Sequence, residues 1–226
     1  MEDILLEFKN VTGKSKKFSL ENISFSLPAG YIMGLMGVNG AGKTTLINYI
    51  MSEKVHYKGS ILIGGVDIRE NHGYIKNFIG FVSEDNVFLD ERTGKQNAEI
   101  LGMFYENFDM ELFESAMKDM GVSAYLVYKK MSRGEKMKFQ MAFAMAHHPV
   151  IYLLDEVTAG MDPVFRLDFH KILHKVIEDE KASVLMTSHI ESELEQKTDY
   201  VGILDSGRLI EFGQSIDVIP EYKGDI

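Results

Sequence analysis

The chain has 226 residues, 45% of them apolar and 26% charged, which suits one large globular α/β domain. Its net charge of −10 argues against the sequence-independent phosphate attraction that nucleic-acid binders rely on, so no nucleic-acid partner is expected. The lack of cysteine excludes disulfides, thiol catalysis and thiolate metal sites. The N-terminus does not have the basic-then-apolar order of a signal peptide, and apolar runs such as 150–154 fall far short of the ~20 residues that span a bilayer.

Residues 4–8 and 19–27 show strand-like spacing around a basic turn at 13–17, read as a hairpin with a solvated lysine cluster. Residues 31–36 form a short apolar run, the signature of a buried strand, and 44–51 read as a helix. Between them, residues 37–45 match G-x-x-x-x-G-K-[ST], with Gly37, Gly42, Lys43 and Thr44 at the fixed places. Glycines there let successive N–H groups turn inward around a polyphosphate. Lys43 can reach the β- and γ-phosphates, and Thr44 can ligate Mg²⁺. Nucleotide-binding candidates are therefore Gly37, Asn39, Gly40, Ala41, Gly42, Lys43, Thr44 and Thr45.

Residues 60–63 and 79–82 are further short strands, after which the pattern turns helical. Thr93 and Gln96 fit a capping box opening a helical run to 104, and 111–120 form a second helix ending near Gly121. The stretch 86–131 carries no strand signal and is expected to be a helical insertion in a single unit spanning 1–226. Met137, Met141 and Met145 recur at helical spacing on a helix at 135–147, which reads as core packing. His147 and His148 stand at the end of that helix, where a histidine suits the dipole.

Residues 150–156 form an apolar strand ending in Asp155 and Glu156. Asp155 is placed like a Mg²⁺-holding acid and Glu156 like a base acting on the attacking water. Asp162 then caps a helix with Pro163 at its first position and Phe169, Ile172, Leu173, Val176 and Ile177 on one face. His170 and His174 are expected on the polar, solvated side of that helix. Residues 184–187 and 201–204 are core strands, and 208–212 pairs with the latter as a hairpin. About a dozen residues follow, with no expectation of an appended regulatory domain.

A P-loop alone is shared by kinases, GTPases and many ATPases. Here Met131-Ser132-Arg133-Gly134-Glu135 opens the helix between the P-loop and the carboxylate pair. It resembles the Leu-Ser-Gly-Gly-Gln signature of ATP-binding cassette (ABC) transporter subunits, keeping the Ser and the second Gly. Residues 159–162 resemble that family's D-loop and 187–189 its switch histidine, so the likeness runs from about residue 2 to 213. It implies a P-loop NTPase (RecA-like) α/β core with an antiparallel β subdomain and an inserted helical subdomain. It also implies ATP hydrolysis powering transport through a separate polytopic membrane subunit, on the cytoplasmic face of the membrane.

In such a family two subunits pack head to tail, with each ATP between one P-loop and the partner's signature. The resemblance places Ser132, Arg133, Gly134 and Glu135 on the partner's ATP, Asp162 between the two sites, and His189 near the γ-phosphate. Arg133 and Glu135 depart from the family's Gly and Gln, and Glu84 stands where a Mg²⁺-binding Gln is usual, keeping metal-ligating capacity. Phe18 is the candidate for stacking on adenine. The short tail and Glu84 resemble bacterial antibiotic or multidrug exporters, including bacitracin-resistance types, more than sugar importers. Two other readings remain open: a soluble ABC ATPase of translation or DNA repair, and a nucleotide-sensing module with little turnover.

Overall fold

Apolar runs with both faces covered account for the central layer. The computed structural model describes residues 3–14, 18–84, 88–188, 194 and 197–223. An antiparallel sheet is built from β1 (Ile4–Lys14), β2 (Ser19–Pro28), β4 (Tyr57–Ile63) and β5 (Val66–Asp67), in the order β2-β1-β4-β5. The second sheet has the order β10-β9-β3-β8-β7-β6. Its strands are β3 (Ile32–Met36), β6 (Ile79–Ser83), β7 (Ile151–Asp155), β8 (Ser183–Ser188), β9 (Tyr200–Asp205) and β10 (Arg208–Gln214). All pairings in it are parallel except that of β9 with β10.

Successive side chains of the parallel strands serve two cores. Ile151, Leu153 and Leu185 join a cluster with α1 (Lys43–Met51) and the antiparallel sheet. Tyr152, Leu154, Val184 and Met186 join the opposite cluster with α5 (Arg133–Met145) and α6 (Pro163–Glu180). Period-two alternation with both faces buried is why these segments read as continuous apolar runs. Each fully buried Leu, Ile or Val contributes roughly 1.5–3 kcal/mol.

The remaining helices are α2 (His72–Ile75), α3 (Gly94–Leu101), α4 (Met110–Asp119) and α7 (Ser215–Lys223). The capping box at Thr93 and Gln96 is present, as is the Asp162 cap with Pro163 at the first helical turn. Met137, Met141 and Met145 are buried core residues. An aromatic cluster seats α4 and the segments that lead into α3 and α4 on α5: Phe113 lies 5.9 Å and Phe88 4.8 Å from Phe139, and Phe108 lies 4.9 Å from Phe143.

Several expectations need correction. Gly13 and Lys14 belong to β1 rather than to a turn, because Gly13 pairs with both Leu20 and Tyr57. Its missing side chain is explained by close approach, since a Cβ would meet the Tyr49 hydroxyl at 2.7 Å. The segment 86–131, by contrast, holds no strand among its described residues, only an isolated antiparallel bridge of Thr93 with Val127.

His170 is buried, only 3% exposed, whereas His174 is exposed. It follows Phe169 by 100° around the helix, so the buried arc is wider than the apolar stripe. His147 is buried as well and stacks on Tyr105 at 4.1 Å. Burial holds its imidazole down at about 4, so it is neutral near pH 7 and gives the helix end no cationic partner.

Candidate functional site

In a parallel sheet the strands deliver their carboxyl ends to one edge, and ligands bind beyond that edge. Five parallel strands end there, and four carry the residues of the cluster: β3 leading to the P-loop, β6 with Ser83, β7 with Asp155 and β8 with Thr187. The parallel register sets Asp155 opposite Ser83 on one side and Thr187 on the other. Sequence separation vanishes at this edge, and a hydrogen-bonded cluster forms.

The loop between β3 and α1 has the backbone its glycines permit. Gly40 and Gly42 stand at φ +87° and +113°, in the left-handed region that favours glycine. Gly37 is needed for space: a Cβ there would lie 2.4 Å from the Leu204 carbonyl oxygen. Gly42 caps α1 without any side-chain hydrogen bond, and no acidic residue occupies the first turn. The first N–H groups of the helix and its positive dipole end therefore suit a polyphosphate.

Lys43, 4% exposed, places its ammonium at the mouth of this loop. It donates to the Gly37 carbonyl at 2.8 Å and pairs with Glu156 at 3.3 Å. Thr44 donates through Oγ1 to Asp155 Oδ1 at 3.2 Å. Two hard oxygen donors so close fit Mg²⁺, which takes one or two protein oxygens and completes its shell with phosphate and water. Among the described residues no group of three or more His, Cys, Asp or Glu forms a dedicated metal cage. Asn39, Gly40 and Thr44 are exposed on the loop, Thr45 is half-buried and Ala41 is buried.

One organising residue was absent from the sequence-derived candidates. Thr187 is fully buried; its hydroxyl donates to Asp155 Oδ1 at 2.7 Å and accepts the Glu156 N–H at 3.0 Å. Glu156 has φ +50°, a left-handed conformation unusual for a residue with a side chain, and this bond fixes it there. A polar residue closing the apolar run 184–187 was the available signal, since parallel strands end together.

Phe18 is half-buried beside the loop. A Cβ on Gly42 would come within 2.5 Å of its ring, so the aromatic residue packs directly against the helix cap. His189 lies outside the described residues.

The signature residues are not part of this cluster. Ser132 caps α5 in a reciprocal box with Glu135: its hydroxyl accepts the Glu135 N–H at 3.3 Å, and Glu135 accepts the Ser132 N–H at 2.8 Å. These hydrogen bonds from Ser132 hold the Glu135 carboxyl below its ordinary range. Gly134 lets the helix start against α6, where a Cβ would meet the Phe165 ring at 3.2 Å. Asp162 accepts the Phe165 N–H at 2.9 Å. Arg133 donates to Glu84 Oε2 at 3.0 Å, joining two of the three departures from the family pattern. Among the described residues no hydrogen bond or ion pair links 132–135 with 37–45.

The family model described as ABC transporter matches residues 20–159, more than half of the chain. The chain belongs to the ABC transporter family. As a member it is the ATP-binding, ATP-hydrolysing subunit of a transporter. It is 30% identical over 203 residues to the ABC transporter ATP-binding protein YtrB of Bacillus subtilis, covering 90% of this chain and 69% of the relative. It is 30% identical over 227 residues to the linearmycin resistance ATP-binding protein LnrL of Bacillus subtilis, covering 98% of this chain and 73% of that one. The bacitracin transport ATP-binding protein BcrA of Enterococcus faecalis is 28% identical over 212 residues, covering 92% of this chain and 69% of the relative. Among solved structures, an ATP-binding subunit of an ABC transporter superposes with a TM-score of 0.85 at 24% identity, covering 97% and 93% of the two chains. An ATP-binding cassette in a dimeric post-hydrolysis state bound to ADP and Pi superposes at 0.82 with 21% identity, covering 93% of this chain and 99% of that one. Both show the shared fold of the ABC subunit.

Proposed function

We propose that this ABC subunit energises export of an antibiotic-like or other hydrophobic drug through a separate polytopic membrane subunit. The relatives named for bacitracin transport and linearmycin resistance support that direction. The observation that carries the chemistry is the cluster at the sheet edge: Thr44 on Asp155 at 3.2 Å and Lys43 on Glu156 at 3.3 Å.

On this reading Lys43, the loop N–H groups and Gly37–Thr45 bind the polyphosphate, with Phe18 stacking on adenine. Thr44, Asp155 and Glu84 hold Mg²⁺, which when bound neutralises phosphate charge. Glu156 takes the proton of the attacking water, and His189 lies near the γ-phosphate. Thr187 holds both carboxylates in place. Hydrolysis is then positioning plus charge stabilisation.

Two subunits pair head to tail, so that Ser132, Arg133, Gly134 and Glu135 face the partner's nucleotide and Asp162 couples the sites. The whole of 1–226 acts as one unit with a helical insertion at about 86–131. The membrane subunit docks at a cleft of about 340 Å³ between that insertion and the core, lined by Phe81, Phe88, Leu101, Phe104, Tyr105 and His147. Phe104 and Met103, 79% and 77% exposed, supply apolar surface beside it. No helix among the described residues is long and apolar enough to cross a membrane. Docked on that partner, the subunit works at the cytoplasmic face.

Affinity purification from gently solubilised membranes tests the assignment. Recovery with a polytopic subunit, and ATP turnover by that complex, is the expected result. Recovery with ribosomes or DNA instead would overturn it in favour of a soluble ABC ATPase.

A further inference from the structure

The guanidinium of Arg133 occupies an electrostatically poor place. It is the first residue of α5, where the positive end of the helix dipole disfavours a cation. The acid in that turn, Glu135, is engaged with the N–H and hydroxyl of Ser132 at 2.8 and 2.7 Å. Glu84 is what holds Arg133, accepting from Nη2 at 3.0 Å. Nη1 lies 3.0 Å from where a Cβ of Gly160 would stand, and Nε is buried without a hydrogen-bond partner. One side chain thus bridges the segment after β6, the start of α5 and the loop between β7 and α6.

The position of Glu84 gives this contact a consequence for the site. The residue before it, Ser83, is the register partner of Asp155, so Glu84 leaves the sheet at the metal-holding edge. The end of β6 is tied to α5 independently, by the Ser83 N–H donating to Gln140 Oε1 at 3.0 Å in the buried core. The ion pair is therefore not what docks the helix. A carboxylate paired with a guanidinium is a poorer ligand for a cation, because the metal must displace the existing charge partner.

We propose that Arg133 is a positioning residue for the metal–nucleotide site. In the single subunit it holds the Glu84 carboxylate away from Mg²⁺, and it releases Glu84 when its guanidinium gains a second anion, the triphosphate presented by a partner subunit. This inference rests on the assignment of Thr44, Asp155 and Glu84 as metal ligands. The two side chains are 37% and 65% exposed, so water and salt weaken the pair. The competition is accordingly a few-fold effect, small enough to reverse each time two subunits close and part.

The test is an Mg²⁺ titration of equilibrium binding of a fluorescent ATP analogue, at protein concentrations low enough to keep the subunit single. Wild type, Arg133→Gln, Glu84→Gln and the double variant are compared. Arg133→Gln should lower the Mg²⁺ midpoint about three- to fivefold, the reach of a partly exposed ion pair. In the Glu84→Gln background the same substitution should do nothing, and about 0.5 M NaCl should shrink the wild-type difference. An unmoved midpoint, or an equal shift with and without Glu84, would overturn the proposal while leaving the nucleotide site standing. Failure of wild type to bind the analogue at any Mg²⁺ concentration would instead sink the functional reading beneath it.

Discussion

Thr187→Val replaces a hydroxyl by a methyl of nearly the same shape at a fully buried position, so packing is kept and hydrogen bonding is lost. Two bonds go: the donation to Asp155 Oδ1 at 2.7 Å and the acceptance of the Glu156 N–H at 3.0 Å. A hydrogen bond to a charged acceptor contributes roughly 1.5–3 kcal/mol, and a neutral one about 1 kcal/mol. Asp155 and Glu156 are half-buried and Asp155 keeps Thr44, so water compensates in part. The remaining loss is about 1–2 kcal/mol of stability by chemical denaturation. Catalysis should suffer more selectively. The left-handed backbone of Glu156 costs roughly 1–2 kcal/mol, and without its hydrogen bond the carboxylate samples other positions. At 1.36 kcal/mol per tenfold, steady-state phosphate release should fall about 5- to 30-fold. ATP affinity should stay within about threefold, since the loop and Lys43 are untouched. Thr187→Ser, which keeps the hydroxyl, should restore most of the rate. Turnover of Thr187→Val within twofold of wild type, or no recovery with Ser, would refute the positioning argument.

The other predictions concern charge. Lys43→Ala removes the buried cation from the loop together with its ion pair to Glu156; most ATP binding should be lost by equilibrium titration, and unchanged affinity would sink the phosphate assignment. Glu156→Gln should cut turnover by about 10²- to 10⁴-fold while sparing ATP binding, and a rate within a few-fold would assign the base elsewhere. His147 has its folded value lowered from 6.5 to about 4, so the unfolded chain binds more protons in that window and stability falls as pH drops through it. At 1.36 kcal/mol per unit the loss is about 3 kcal/mol, complete below pH 4 and absent above 6.5. His147→Phe, which preserves the stack on Tyr105, should flatten the stability profile between those limits in urea melts; an unchanged slope would show that other groups carry it.

Local chemistry is legible in the sequence. The P-loop, the Thr93 capping box, Asp162 with Pro163, and the apolar strand ending at Asp155 are set by residues within a few positions of one another. Backbone geometry and short-range hydrogen bonding suffice to impose them. The family resemblance added the signature, and the comparisons established membership. Burial of single polar residues was less legible: periodicity defines an apolar face, yet His170 and His147 are covered because neighbouring elements overlap the edge of that face.

At the sheet edge the sequence alone sets the local pieces. It specified the residues able to bind a polyphosphate and the strand that delivers the two carboxylates, because those patterns are local. Tertiary structure alone decided that Thr187 stands between Asp155 and Glu156, and that Arg133 meets Glu84. Both contacts depend on parallel register and on where α5 lies across the sheet, which are fixed by side chains packed tens of residues away. A hydroxyl or guanidinium in a sequence carries no mark of its partner; the fold supplies the partner by bringing strand ends and helix starts to one place.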